Sequence, residues 1–183
     1  MNSRESLAYV GDMKLEVLTA ESTDKPWYAA GLKFTCSQCG NCCTGGPGYV
    51  WLREVEVERL AVHLQLSVDE TLQRYCRKVG GRVSLKEVLS PAGLHDCVFL
   101  MDRKEQGLDG VIHTRRSCSV YAVRPLQCRT WPFWDSNLSD PGIWENSAKR
   151  CHGMNHGRSF TREEMEALRD AVEWPERPPT SSD

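Results

Sequence analysis

Four cysteines stand within the ten-residue stretch FTCSQCGNCC: Cys36, Cys39, Cys42 and Cys43. That density limits what the segment can become. In a core a thiol serves only as a small hydrophobe, and four of them in one short loop make a poor core. A two-residue spacer lets a turn aim both sulfurs at one ion. Two such spacers overlap here, with Gly40 between them and a fourth cysteine adjacent. The pattern points to thiolate ligation of metal.

Composition narrows the setting. The chain has 183 residues, 40% apolar and 26% charged, which is ordinary globular composition at single-domain size. Its net charge of −2, from 23 basic and 25 acidic side chains, gives no source for the counterion-release affinity of a nucleic-acid binder. No nucleic-acid partner is expected. The first twenty residues carry charges throughout and hold no apolar h-region, so they do not read as a secretory signal. No apolar run approaches bilayer-spanning length, so no membrane is expected either. A cytoplasmic location follows as the expectation. In that reduced compartment nine cysteines read as metal ligands or catalytic thiols rather than as a disulfide frame.

Residues 1–33 read as an N-terminal arm, with a strand over 14–18 and with Trp27 and Tyr28 able to dock it. Residues 34–173 read as a cysteine-cluster metal-binding domain, and the Pro-rich stretch 174–183 as a disordered tail. Val57, Leu60, Ala61 and Leu64 at helical spacing predict a helix over 54–66. Ser67 and Glu70 form a capping box that opens a second helix, running to Gly80-Gly81 with Val68, Leu72, Tyr75 and Cys76 on its apolar face. Short strands are expected over 82–88, 97–101 and 111–113, with Pro91 and Gly93 marking a turn. The stretch 117–153 shows little periodicity and is expected to draw its order from ligands. Thr161 and Glu164 cap a last helix with the stripe Met165, Leu168 and Val172, and Phe160 with Met165 fits a hydrophobic staple. The fold class expected is α+β: a small single domain of short helices, few short strands and long irregular loops, organised by a cysteine-ligated metal site.

Two occupants suit the cysteines. Cys36, Cys39 and Cys42 repeat the three-cysteine run by which bacterial ferredoxins hold a four-iron four-sulfur cluster, whose fourth ligand is remote. Zinc takes four thiolates in a tetrahedron. Zinc sites usually pair one C-x2-C with another, whereas Cys97, Cys118, Cys128 and Cys151 are solitary; this favours a cluster or a two-metal arrangement. Cys36 and Cys39 are expected to share a site. Cys42 and Cys43 are expected to diverge toward different metals, or one of them to bridge. Cys76 reads as a buried thiol and not a ligand. A thioredoxin-like dithiol lacks its flanking strand and helix.

The downstream motifs complete a resemblance. Cys97 lies in DCVFL, Cys118 and Cys128 in CSVYAVRPLQCRTWPF, and Cys151 in CHG. Together with the C-x2-C-x2-C-C run, these make the chain resemble the YkgJ-type cysteine-cluster family, a zinc- or iron-chelating domain, from about Phe34 to Gly153. The resemblance implies a bacterial intracellular domain with eight ligands: Cys36, Cys39, Cys42, Cys43, Cys97, Cys118, Cys128 and Cys151. It also implies distant kinship to cluster-containing flagellin lysine methylases, although nothing here reads as a methyl-donor site. Cys76 matches nothing in the pattern, and His152 follows the last cysteine where Pro is more usual.

Arg124, Pro125 and Arg129 flank Cys128. A guanidinium there would offset the negative charge of metal-bound thiolates, with a plain surface arginine as the alternative at Arg129. Trp131, Phe133 and Trp134 read as core aromatics able to shield a site. His63, His95, His113, His152 and His156 read as surface histidines. TGGPG lacks the lysine and strand–helix context of a phosphate loop. No catalytic constellation is evident; an enzyme on this chain would be an iron–sulfur-dependent oxidoreductase. Three functions fit: a metal-binding protein that chelates, stores or delivers zinc or iron, an iron–sulfur electron-transfer protein, or a zinc-stabilised interaction module. The partner implied is the metal ion or cluster, and the sequence names no protein partner.

Overall fold

The computed structural model describes residues 25–172; the strand expected over 14–18 and the tail 174–183 lie outside them. Strand β1 (Leu32–Phe34) leads into the cysteine run, followed by β2 (Thr44–Gly45) and β3 (Trp51–Leu52). Helices α1 (Glu54–Leu64) and α2 (Val68–Tyr75) come next, and then strands β4 (Cys76–Val79), β5 (Arg82–Leu85), β6 (Glu87–Leu89), β7 (His95–Cys97), β8 (Leu100–Gln106) and β9 (Ile112–Cys118). Three helices follow, α3 (Leu126–Thr130), α4 (Asp135–Leu138) and α5 (Pro141–Arg150), before β10 (Arg158–Phe160) and α6 (Arg162–Asp170). The strands form four small antiparallel sheets, ordered β1-β10, β2-β7-β6, β3-β5-β4 and β8-β9. The α+β class stands.

Local signals set several element ends. Ser67 and Glu70 cap α2 reciprocally, and Thr161 and Glu164 do the same for α6, each pair satisfying backbone N–H groups that the helix leaves orphaned. Helix α1 stops at Leu64, short of the expected 66, because Gln65 turns left-handed (φ 57°) and its N–H reaches back to Ala61 and Val62.

Two expectations are corrected. The second helix ends at Tyr75, and Cys76 opens strand β4 instead of lying on a helix face. Gly80 and Gly81 both have positive φ, 55° and 79°, the backbone of a tight two-residue hairpin turn. They join β4 to β5, pairing Val79 with Arg82 and Cys76 with Leu85. The stretch 117–153 is also less irregular than expected, since it carries α3, α4 and α5. Asp140 caps α5 by accepting from Gly142 and Ile143, and Pro141 fills the first turn, where its missing N–H costs nothing.

Two apolar cores result. One gathers Tyr28, Phe133, Leu138, Trp144, Cys151, Met154 and Met165, with Trp27 packed beside it and donating its indole N–H to Leu138 O at 2.7 Å. The other gathers Leu52, Val57, Leu60, Cys76, Leu85, Phe99 and Val120, with Cys97 and Cys118 against it. Leu60 and Met165 are fully buried, each worth roughly 2–3 kcal/mol of apolar burial. Cys151 of the first core and Cys118 against the second both line one cavity.

Candidate metal centre

The cysteine run is held at both ends. Thr35 N–H donates to Gly153 O at 3.0 Å and Asn155 N–H to Lys33 O at 2.9 Å, which stitches the chain before Cys36 to the chain after Cys151. Only glycine fits at 153, because a Cβ there would stand 2.2 Å from Thr35 O. Within the run, Gly40 takes φ 73° and a Cβ on it would meet Leu100 Cδ1 at 2.7 Å. The 3-10 turn Asn41–Cys43 follows, closed by Cys43 N–H to Gly40 O at 2.9 Å. Asn41 Nδ2 donates to Arg150 O at 2.7 Å, tying this turn to the end of α5 next to Cys151. Thr44 pairs with Asp96 across β2 and β7, which sets Cys97 close to Cys43.

These constraints bring seven cysteines to one cavity of about 630 Å³, counting its open mouth: Cys36, Cys39, Cys42, Cys43, Cys118, Cys128 and Cys151. Cys97 is not part of the lining, but its charge is felt at Cys43 and Cys128. Cys76 is absent from the lining and sits in the second core. All nine thiols are free. The sulfurs of Cys42 and Cys43 lie 3.8 Å apart, closer than divergence toward separate metals would place them and compatible with one of them bridging. Both residues belong to one 3-10 turn and both line the cavity, so short one-carbon stems bring their sulfurs together.

The donor set fits a thiolate-bound metal. A tetrahedron of ~2.3 Å zinc–sulfur bonds has sulfurs roughly 3.8 Å apart, the separation at Cys42 and Cys43. Among the described residues, no group of three or more Cys, His, Asp or Glu side chains is already set to hold an ion. The thiols line the walls of an open space rather than converge on a point.

Among the described residues, one arginine lines the cavity and supplies its positive charge. Arg124 lines it, lies 3.9 Å over the Tyr121 ring and donates Nη1 to Tyr121 O at 3.1 Å. Its charge favours the thiolate forms of Cys42, Cys118 and Cys128. The hydrogen bond from Cys43 brings the Cys42 thiol down to about 7, with burial opposing and Arg124 assisting, while Cys43 itself is raised by giving that bond. Burial pushes Cys97 up to about 11 and raises Cys118 and Cys128 as well. Burial thus favours the protonated form of these three thiols. Arg129 is exposed, so of the two arginines flanking Cys128 only Arg124 faces the cavity.

Tyr121 was missed in the sequence. It lines the cavity, and its phenol is raised by burial and then by a hydrogen bond with Cys36. The signal was the Tyr121-x-x-Arg124 spacing, which sets both side chains on one side of a 3-10 turn. Trp131 donates its indole N–H to Cys151 Sγ at 3.4 Å. His95 and His113 stand near the carboxylates of Glu87 and Asp109, and no histidine lines the cavity.

A family model described as "CxxCxxCC: Putative zinc- or iron-chelating domain" matches residues 35–152. The uncharacterized protein MJ0661 of Methanocaldococcus jannaschii is 32% identical over 107 residues, 58% of this chain and 48% of the relative. The chain thus spans about half the length of that curated relative. No solved structure matches. Among the described residues no helix is long and apolar enough to cross a membrane. With the signature run, the remote cysteines and the match to residues 35–152 in agreement, the chain belongs to the CxxCxxCC family of zinc- or iron-chelating domains.

Proposed function

We propose that the protein holds zinc or an iron–sulfur cluster through the thiolates of Cys36, Cys39, Cys42, Cys43, Cys97, Cys118, Cys128 and Cys151, and chelates, stores or delivers that metal in the cytoplasm. The observation that carries this reading is the gathering of seven thiols, spread from Cys36 to Cys151 in the chain, around one cavity. One zinc ion takes four thiolates, so this donor set suits two ions or a polynuclear cluster. Arg124 offsets the negative charge such a site accumulates. Tyr121 and Trp131 supply hydrogen bonds to sulfur, which tune a bound metal as much as its ligands do. The site lies between two cores, so the metal fastens them together and organises the fold around itself.

A second reading, an iron–sulfur electron-transfer protein, is favoured by the ferredoxin-like spacing of Cys36, Cys39 and Cys42 on that same cavity. A bound cluster would supply one-electron chemistry, and zinc a redox-silent charge centre. Iron, zinc and acid-labile sulfide analysis of anaerobically purified protein separates the two. Iron with sulfide and a brown colour supports the cluster; colourless protein holding zinc supports the chelation reading.

A further inference from the structure

The β8-β9 hairpin presents unlike charge patterns on its two faces. On one face the directly opposed pair is Asp102 with Arg116, whose side chains meet at 3.7 Å. On the other, Arg103 stands directly opposite Arg115. Like charges opposed across two strands destabilise the pairing. Glu105 lies 3.9 Å from Arg115 Nη1, and Arg115 also donates to Ser37 O in the cysteine run. Among the described residues no carboxylate answers Arg103. Both arginines line a groove of about 810 Å³, open mouth included, with His63 also on its wall and Glu105 as its acidic member.

The hydroxyl of Ser117 gives a second, independent sign. Ser117 is 7% exposed and lines the same groove, and its Oγ has no hydrogen-bond partner. A buried polar oxygen left unpaired costs free energy. The groove also adjoins the thiol cavity, since Gln38, Cys118 and Tyr121 line both.

We propose that this groove binds a small oxyanion, a carboxylate or phosphate group, between Arg103 and Arg115, with the Ser117 hydroxyl, shielded from solvent as it stands, turning outward as a further donor. Guanidinium forks match both groups bidentately. A bound anion relieves the arginine pair and reaches the cysteine run through the Arg115–Ser37 bond. The groove and its anion stand apart from the metal.

Calorimetric titration of the full chain with inorganic phosphate and, separately, with citrate tests this, in metal-free and metal-analysed samples alike. Saturable binding of either is expected, and which one binds identifies the source. Arg103→Gln should weaken it about tenfold and Ser117→Ala by a smaller factor. Lys104→Gln, on the opposite face of the hairpin, should leave it unchanged. Circular dichroism confirms that each variant is folded. No saturable binding of either anion, or an equal loss in Lys104→Gln, overturns the proposal, whatever the metal content proves to be.

Discussion

The indole N–H of Trp131 points at the sulfur of Cys151 from 3.4 Å, joining the aromatic core to the thiol cavity by one hydrogen bond. Trp131 also packs edge-on against Trp134, with ring centroids 4.8 Å apart, so phenylalanine can keep much of its packing and lose only the donor. Trp131→Phe should retain bound metal but lower its affinity by about tenfold, the usual cost of losing a group that supports a ligand. Competition with a chromophoric chelator measures this. An unchanged affinity would show that the bond to Cys151 has no bearing on the metal.

Cys76 is the one cysteine in the second core that neither lines nor flanks the cavity. Burial raises its thiol pKa, as suits a neutral side chain among Leu85 and its neighbours. Cys76→Ala should leave metal stoichiometry unchanged and cost about 1 kcal/mol through the small cavity it leaves. Metal analysis and denaturation on the same preparation check both parts. A folded variant with less metal would contradict the assignment.

Much of this was legible in the sequence because it is local. The two capping boxes need only four residues each, and both form as the sequence predicts. Cys76 was misplaced because Val68 to Cys76 fits a helical stripe; pairing with β5 decides its conformation, although Gly80-Gly81 already carried the hairpin signal. Helix α5 has thin apolar periodicity, and it is anchored by Trp144, 1% exposed in a core drawn from distant segments. The meeting of Cys42 and Cys43 sulfurs depends on side-chain torsions within one turn, which spacing alone does not fix.

Glu56 is 4% exposed, yet it accepts from Leu126 N–H at 2.6 Å and from Arg53 N–H at 3.0 Å. It thereby clamps the start of α3, the helix that carries Cys128, to the start of α1. Glu56→Ala leaves both donors unanswered and should cost about 2–3 kcal/mol. It should also weaken metal binding, through Cys128, in protein that remains folded. Glu56→Gln keeps one acceptor oxygen, enough for Leu126 N–H, and sets an amide NH2 against Arg53 N–H, so it should recover only part of both. Equal metal affinity in wild type and folded Glu56→Ala would show that α3 is placed without the clamp.

Proton linkage gives a signature for the metal-free state. Burial raises Cys97, Cys118 and Cys128 above the ordinary thiol value of 9.0, Cys97 to about 11. The contribution of Cys97 to stability is therefore complete below about pH 9 and is lost as pH rises through about 11, on the order of 2 kcal/mol for a shift of this size, and Cys118 and Cys128 act in the same direction. Cys42 acts oppositely, its contribution being lost as pH falls through about 7. Metal reverses the sense for the raised thiols, because bound sulfur must be deprotonated and loading releases protons. Denaturant titrations of reduced, metal-free protein should show stability falling from about pH 9 to about pH 11, whereas metal-loaded protein should weaken toward acid. Matching profiles for the two forms would contradict thiolate ligation.

The most direct measurement is metal content per chain in anaerobically purified protein, by mass spectrometry with parallel sulfide analysis, for wild type, Cys128→Ser and Cys76→Ala. The account predicts zinc, or iron with sulfide, at one equivalent or more in wild type and in Cys76→Ala. It predicts a clear loss in Cys128→Ser, whose sulfur comes from α3 on the far side of the sequence from the four-cysteine run. Folded wild-type protein that carries no metal under reducing, anaerobic conditions and takes up none on addition of zinc or iron would contradict it.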